Sequence, residues 1–222
     1  MLFRSGSGVE DVFPQNVNCR ACERASSDQD ARQSLSAYWI YELPLGASRQ
    51  YLSQPGIWRA LLGGWQLSGV VSGRTGLPVN VTVTRASSAL PDGNAGNQRP
   101  DINFGVPLIP AGGSTPTHWI NPAAFSVPAT QVWGNAGRNL LRGPALWQLD
   151  TAVSRRVAIK ERLALELRGE CFNLFNRAQF GNPSANISAP ASFGLITSLT
   201  NTSGPTGSGT PREFQIALKV LF

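Results

Sequence analysis

The residues whose types and spacing could do chemistry are few: one histidine, three cysteines and two pairs of carboxylates. His118, in THWINP, would act as a general base beside a Ser or Cys nucleophile, but no recognisable motif supplies one, and the GRTG and SGS strings read as turns. Cys19 and Cys22 form a single CxxC in NCRACE. With no second pair and a histidine far along the chain they cannot complete a four-ligand zinc site. They read as a small loop disulfide in an oxidising compartment or as reduced thiols, and a thioredoxin-like role would need a βαβ context that is missing. Asp92 and Asp101 in PDGNAGNQRPD supply oxygens suited to calcium, yet their spacing fits no EF-hand loop. Glu166 and Glu170 would suit acid/base work, but Arg162 and Arg168 lie beside them, and an ion-paired, wet surface accounts for all four. The expectation is therefore no enzyme, no metal and no cofactor.

The elements that carry these residues show period-two alternation. In WQLDTAVSRRV, Trp147, Leu149, Thr151, Val153 and Val157 share one face, against Gln148, Asp150, Ser154 and Arg156 on the other. In RLALELRGECF, Leu163, Leu165, Leu167 and Cys171 oppose Arg162, Glu166, Arg168 and Glu170. A helix would set Leu163 and Leu165 about 200° apart and leave no apolar stripe. AIKE between these runs reads as a hairpin turn. SLSAYWIYEL aligns Leu35, Ala37, Trp39, Tyr41 and Leu43, and WQLSGVVSGR aligns Trp65, Leu67, Gly69, Val71 and Gly73, with LPVNVTVT as an extension. The last run, REFQIALKVLF, places Phe214, Ile216, Leu218, Val220 and Phe222 together.

Composition narrows the solvent of that greasy face. Charged residues make up 14% of the 222 positions, against roughly 25% in an average soluble domain. Gly 23 and Pro 16 argue for many turns rather than a helical bundle. No stretch reaches the roughly 18 apolar residues of a membrane helix, and MLFRSGSGVEDVF lacks the apolar core of a secretory signal. The net charge is +6, and Lys160 and Lys219 leave seventeen of the nineteen basic residues as arginine, scattered rather than striped. A nucleic-acid partner is not expected from that distribution.

Long connections run from Arg85 to Leu146 and from Phe172 to Arg212, well beyond the roughly 4–6 residues usual in compact soluble domains. Transmembrane β-barrels alternate short periplasmic turns with long outer loops. With Phe222 at the periplasm, both long connections fall outside and AIKE falls inside. PLGASRQYLSQPGIWRALLGG is then long for an inner turn. Phe214 to Phe222 spans about 26 Å of strand, or about 20 Å of height at a tilt near 40°. Tyr41, Trp65, Trp147, Phe214 and Phe222 lie near strand ends, where interfacial aromatics belong.

AYWIYELPLG, LLGGWQLSGVVSGRTGLPVNV, WINPAAFSVP, WGNAGRNLLRGP, LRGECFNLFNRAQFGNP and REFQIALKVLF occur in this order between Leu35 and Phe222. On these motifs the chain resembles the C-terminal part of the barrel of TonB-dependent outer-membrane receptors, in the Oar-like branch with a carboxypeptidase-regulatory-like domain. The resemblance implies an all-β fold: the C-terminal portion, about five antiparallel strands with long loops, of a barrel of about 22 strands closed around an N-terminal plug. It implies a Gram-negative outer-membrane location and energy-coupled uptake of a ligand. The partners implied are outer-membrane lipid, the barrel assembly machinery and the TonB complex, the last through an N-terminal part this sequence lacks. No signal peptide, plug or TonB box is recognised, and five strands cannot close around a polar interior, because an open edge in lipid leaves backbone groups unpaired. The chain is therefore expected to be a fragment.

The resemblance extends to the terminal run, where Phe214, Ile216, Leu218, Val220 and Phe222 match the signal read by the assembly machinery. Residues 1–33 are expected as an outer loop or truncated start. Residues 34–222 are expected as the partial barrel, with strands near 34–43, 64–84, 147–157, 162–172 and 212–222. Trp119, Phe125 and Trp133, in the long connection, are candidates for a ligand-facing loop or for a loop mini-core. Two other functions stand beside uptake: a structural or adhesive outer-membrane barrel, and a secreted soluble β-sandwich that binds carbohydrate.

Overall fold

A computed structural model describes residues 14–47, 49–93, 97–160, 163–200 and 210–222. In chain order the elements are β1 (Ser34–Glu42), α1 (Ile57–Leu62), β2 (Trp65–Arg74), β3 (Pro78–Val79), β4 (Asp101–Ile102), β5 (Phe125–Ser126), β6 (Leu141–Arg142), β7 (Leu146–Lys160), β8 (Leu163–Phe172) and β9 (Glu213–Leu221). The chain divides into two compact units.

One unit, residues 33–74, 146–179 and 201–222, is built on a five-stranded sheet in the order β1-β2-β7-β8-β9, every neighbouring pair antiparallel. Its register keeps the alternating residues together. One row runs Trp39↔Gly69↔Thr151↔Cys171↔Phe214, and another runs Tyr41↔Leu67↔Val153↔Gly169↔Ile216. Since side chains alternate faces, a row in register lies wholly on one face. The indole of Trp39 lies over Gly69, where an added Cβ would come within 2.7 Å of the ring. A bare glycine opposite a tryptophan lets the ring cover backbone that would otherwise be open to solvent.

Two expected boundaries are corrected. AIKE is not a turn: β7 continues to Lys160, with Ala158 opposite Ala164 and an irregularity between Ala158 and Lys160. Glu161 and Arg162 lie outside the described residues. The long strand expected over 64–84 ends at Arg74, and Pro78–Val79 pairs instead with Leu141–Arg142 in a separate sheet. Pro78 has no backbone N–H to give a long ladder, so a two-residue bridge at this point is the economical solution.

The second unit comprises residues 1–32, 75–145 and 180–200. Its described part is not the structureless loop implied by the lack of alternation. Val79, Val81, Ile120, Ala124, Phe125, Leu141 and Phe193 form a buried cluster, with Ile102, Leu108, Trp119 and Ile187 packed against it. Phe125 and Phe193 meet edge-to-face at 6.0 Å, the geometry favoured by the ring quadrupole. Two-residue strands, β3 with β6 and β4 with β5, are its only regular ladders among the described residues. Of the expected outer segment 1–33, residues 1–13 lie outside the described residues.

Candidate functional site

The five-stranded sheet has two chemically opposite faces, and these are the surfaces available for function. One carries Leu35, Trp39, Tyr41, Val153, Val157, Leu167, Phe214, Ile216, Leu218, Val220 and Phe222, all exposed. Among the described residues the unit contains no second sheet to pack against them. In water a run of exposed apolar side chains across five strands is the kind of contiguous patch that monomers rarely present. A soluble sandwich would have buried this face under a partner sheet, so that alternative is set aside. Tyr41, Trp65 and Phe222 lie toward one end of the strands, and Trp147 and Phe214 toward the other. Trp147 packs against Phe175 at 5.5 Å with the rings tilted, and receives the Arg177 guanidinium at 4.9 Å from its ring.

The reverse face carries most of the sheet's charged side chains, with Tyr38, Ile40 and Val70 exposed among them on β1 and β2. Register places Arg156 opposite Glu166 and Glu166 opposite Lys219, so charges alternate across three strands. Arg168 donates to Glu170 at 2.7 Å, and Arg49 pairs with Glu42. A cleft of about 380 Å³ opens on this side, lined among others by Glu42, Arg49, Gln66, Arg156, Glu166 and Arg168. Glu166 and Glu170 are therefore each set against a cation. The arrangement suits a wet interior that accommodates charge, as in a barrel lumen. The β7–β8 connection, the β1–β2 connection and Phe222 leave the same end of the sheet, since Ala164 pairs with Leu221 and Trp65 with Arg155. The long connections leave from Arg74, Leu146, Phe172 and Glu213 at the opposite end.

The remaining sequence candidates are dispersed. His118 is exposed in a tight turn, its Nδ1 at 3.3 Å from Thr117 Oγ1. Asp101 accepts from the Asn135 backbone N–H at 2.9 Å while Asn135 Oδ1 accepts from the Ile102 N–H at 2.8 Å, a reciprocal clamp on β4. Asp101 is thus a structural staple, and no group of three metal-ligating side chains assembles among the described residues. Phe125 is 7% exposed inside the buried cluster, so it belongs to the mini-core and not to a ligand-facing surface. Trp119 packs on the same cluster and donates its ring N–H to the Arg142 carbonyl at 2.8 Å. Trp133 is half-buried. Cys171 is a buried free thiol on β8.

Cys19 and Cys22 form a disulfide, with Cα atoms 5.4 Å apart. The next residue, Glu23, joins a network that sequence reading missed. Arg99, its side chain 3% exposed, donates to both Glu23 carboxylate oxygens at 2.8 Å and to the Ala136 carbonyl at 2.9 Å. Gln15 accepts from the Arg99 backbone N–H at 2.7 Å and donates to the Gly134 carbonyl at 2.9 Å. Arg138 pairs with Asp28 and Arg142 with Asp30. For Glu23, burial pushes the carboxyl upward, but the Arg99 hydrogen bonds and charge, with backbone N–H donors of Gln15 and Asn16, outweigh it and hold the group below its ordinary value. Asp30 is held down chiefly by its hydrogen bond from Arg142, then by Ser26. The available signal was compositional: three of the thirteen acidic residues fall between Glu23 and Asp30 of a basic chain.

An antiparallel sheet with an uncovered apolar face, interfacial aromatics and a charged reverse defines a membrane-spanning β-barrel wall. The chain belongs to the outer membrane beta barrel domain family, whose model matches residues 3–215. The protein is accordingly an all-β protein of the outer membrane. No curated protein and no solved structure matches the chain.

Proposed function

We propose that the chain is the C-terminal part of the barrel of a TonB-dependent receptor of the Oar-like type, serving energy-coupled uptake of a ligand across the outer membrane. The supporting observation is the pair of edge strands: among the described residues β1 and β9 each have one neighbour in the sheet. A barrel in lipid has no free edge, so further strands must complete it, and a charged, cleft-bearing inner face suits a wide polar lumen better than a small packed barrel. The ordered motifs between Leu35 and Phe222 point to the receptor branch among large barrels. On this reading the TonB complex acts through a plug outside this chain. The barrel assembly machinery reads Phe214, Ile216, Leu218, Val220 and Phe222, and the chain binds no nucleic acid and catalyses nothing.

The test is the mass and composition of the native species. Antibody against the β9 segment should detect, in host outer membranes, a protein far heavier than 23.7 kDa, with peptides of a plug domain and cross-links to TonB. A species of 23.7 kDa without a plug overturns the receptor reading. Removing Phe222 should lower the amount of folded barrel in the membrane, and unchanged amounts would refute the insertion role.

A further inference from the structure

The β1–β2 connection is too long for a plain turn and contains the one α-helix among the described residues. That helix, α1, buries none of its residues. At about 100° per residue, Ile57, Leu61, Trp58 and Leu62 fall within an arc of about 140°, with Arg59 outside it. All four apolar residues are exposed, Ile57 by 69% and Trp58 by 64%. Six residues are far too few to form a stable helix alone in water, and no side chain caps the N-terminus. Its C-terminus, however, is anchored. Arg155 donates to the Leu61 carbonyl at 2.9 Å and to the Ala60 carbonyl, and the Trp65 ring N–H donates to the Leu61 carbonyl at 3.0 Å.

Both anchors share the lipid-facing side of the sheet. Trp65 pairs with Arg155, which lies in the alternation of Val153 and Val157. The Arg155 guanidinium also sits over the Trp65 ring at 5.8 Å. The helix terminus is thus tied to the membrane side of the wall, at the end where Tyr41 and Trp65 mark the interface. An exposed apolar helix face anchored on the lipid-facing side of a sheet has lipid as its natural cover. Arg59 at the helix border and Arg155 beneath it favour anionic headgroups.

We propose that α1 is an interfacial helix, its Ile57, Trp58, Leu61 and Leu62 face embedded in the headgroup–acyl boundary of the leaflet at the β7–β8 turn end, and Arg155 holding it there. The length of the connection then has a purpose: it forms a foot on the bilayer. The proposal rests on the outer-membrane family assignment and not on the transported ligand.

The test uses the full-length protein carrying Cys171→Ala and Trp58→Cys, labelled at residue 58 with an environment-sensitive fluorophore and folded into phosphatidylethanolamine–phosphatidylglycerol vesicles. Barrel integrity is checked by heat-modifiable gel migration. Embedding about 5–10 Å deep predicts blue-shifted emission, quenched more by bromines near the lipid carbonyls than by bromines at the bilayer centre. Emission like that of free dye in water, without quenching, overturns the proposal. So does a blue shift that vanishes on diluting protein at constant lipid, which would make the cover a second protein. If Trp58→Cys fails to fold, the label moves to Leu61→Cys with the same criteria. Adding Arg155→Gln should reduce the shallow quenching while the barrel stays folded, and unchanged quenching would remove the anchoring role.

Discussion

The two units solve opposite solvent problems with the same residue types. In the unit of 75–145 and its partner segments, Phe125 and Phe193 point inward, buried and packed edge-to-face, while Phe104 and Phe180 are left at its surface. In the sheet, Phe214 and Phe222 point outward and stay exposed, Phe214 with only the Arg212 guanidinium over its ring at 5.9 Å. Polar groups invert as well. Apart from Arg155, which ties down the helix end on the lipid side, the sheet gathers its charges on the face away from lipid, whereas the other unit buries Arg99 against Glu23 and backbone carbonyls. The difference teaches that apolar patterning identifies the medium on each side of an element, and that an outward face is a defect only if the medium is water.

The comparison breaks or holds first at its phenylalanines. Phe125→Ala should cost about 3–5 kcal/mol, since removal leaves a void that packed neighbours cannot fill. Phe214→Ala should lose chiefly transfer free energy, about 1.5–3 kcal/mol, because fluid lipid occupies the vacated space. Urea unfolding of the protein in vesicles measures both, and equal costs would erase the distinction. Adjacent residues of β7 sharpen it next. Val153→Arg places a guanidinium in the lipid and should cost about 2–4 kcal/mol. Ser154→Glu, opposite Arg168 on the polar face, should change stability by less than about 1 kcal/mol. A reversed order would mean that the faces are assigned the wrong way round.

The sheet was legible because a membrane-spanning strand has the simplest sequence code. Period two places Phe214, Ile216, Leu218, Val220 and Phe222 of REFQIALKVLF and Leu163, Leu165 and Leu167 of RLALELRGECF on one face, and strand order follows from antiparallel neighbours. Its boundaries were less legible. Ala158 and Ile159 continue the strand where AIKE resembled a turn, since β-propensity alone cannot say where pairing stops. The other unit was illegible for a physical reason: its order comes from contacts distant in sequence. Gln15 reaches Gly134, Arg99 reaches Glu23, and Arg142 reaches Asp30, and none of these has a period. The long connection could be seen as unusual, and WINPAAFSVP as apolar, but the burial of Phe125 required its partner Phe193, far along the chain.

Glycine gives a smaller contrast. At Gly134 an added Cβ would lie 1.9 Å from the Arg99 carbonyl oxygen and 2.6 Å from that of Pro100, so backbone must move. At Gly69 it would meet only the Trp39 ring, which can swing into lipid. Gly134→Ala should therefore cost about 1–3 kcal/mol and Gly69→Ala less than about 1 kcal/mol, read from the same unfolding curves. A larger penalty at Gly69 would show the Trp39 ring to be fixed rather than lipid-mobile.

Acidification should separate the units by the smallest effect. Glu23 and Asp30 are both held below their ordinary values of 4.5 and 3.8. A carboxylate depressed in the folded state contributes stability that is fully present above its unfolded value and is lost as pH falls through its folded value. The window for Glu23 thus opens below 4.5 and that for Asp30 below 3.8. As pH drops through it, Arg99 and Arg142 lose their carboxylate partners, and residues 14–32 should exchange amide hydrogens faster after correction for intrinsic rates. Strands β7 and β8 are held by ladder hydrogen bonds with lipid on one face, and neither bond type needs a carboxylate, so their protection should persist through the same window. Glu23→Gln should abolish most of the pH dependence in the segment near Cys22, leaving the Asp30 contribution. Loss of protection in β7 together with residues 14–32 would show that the two units open as one.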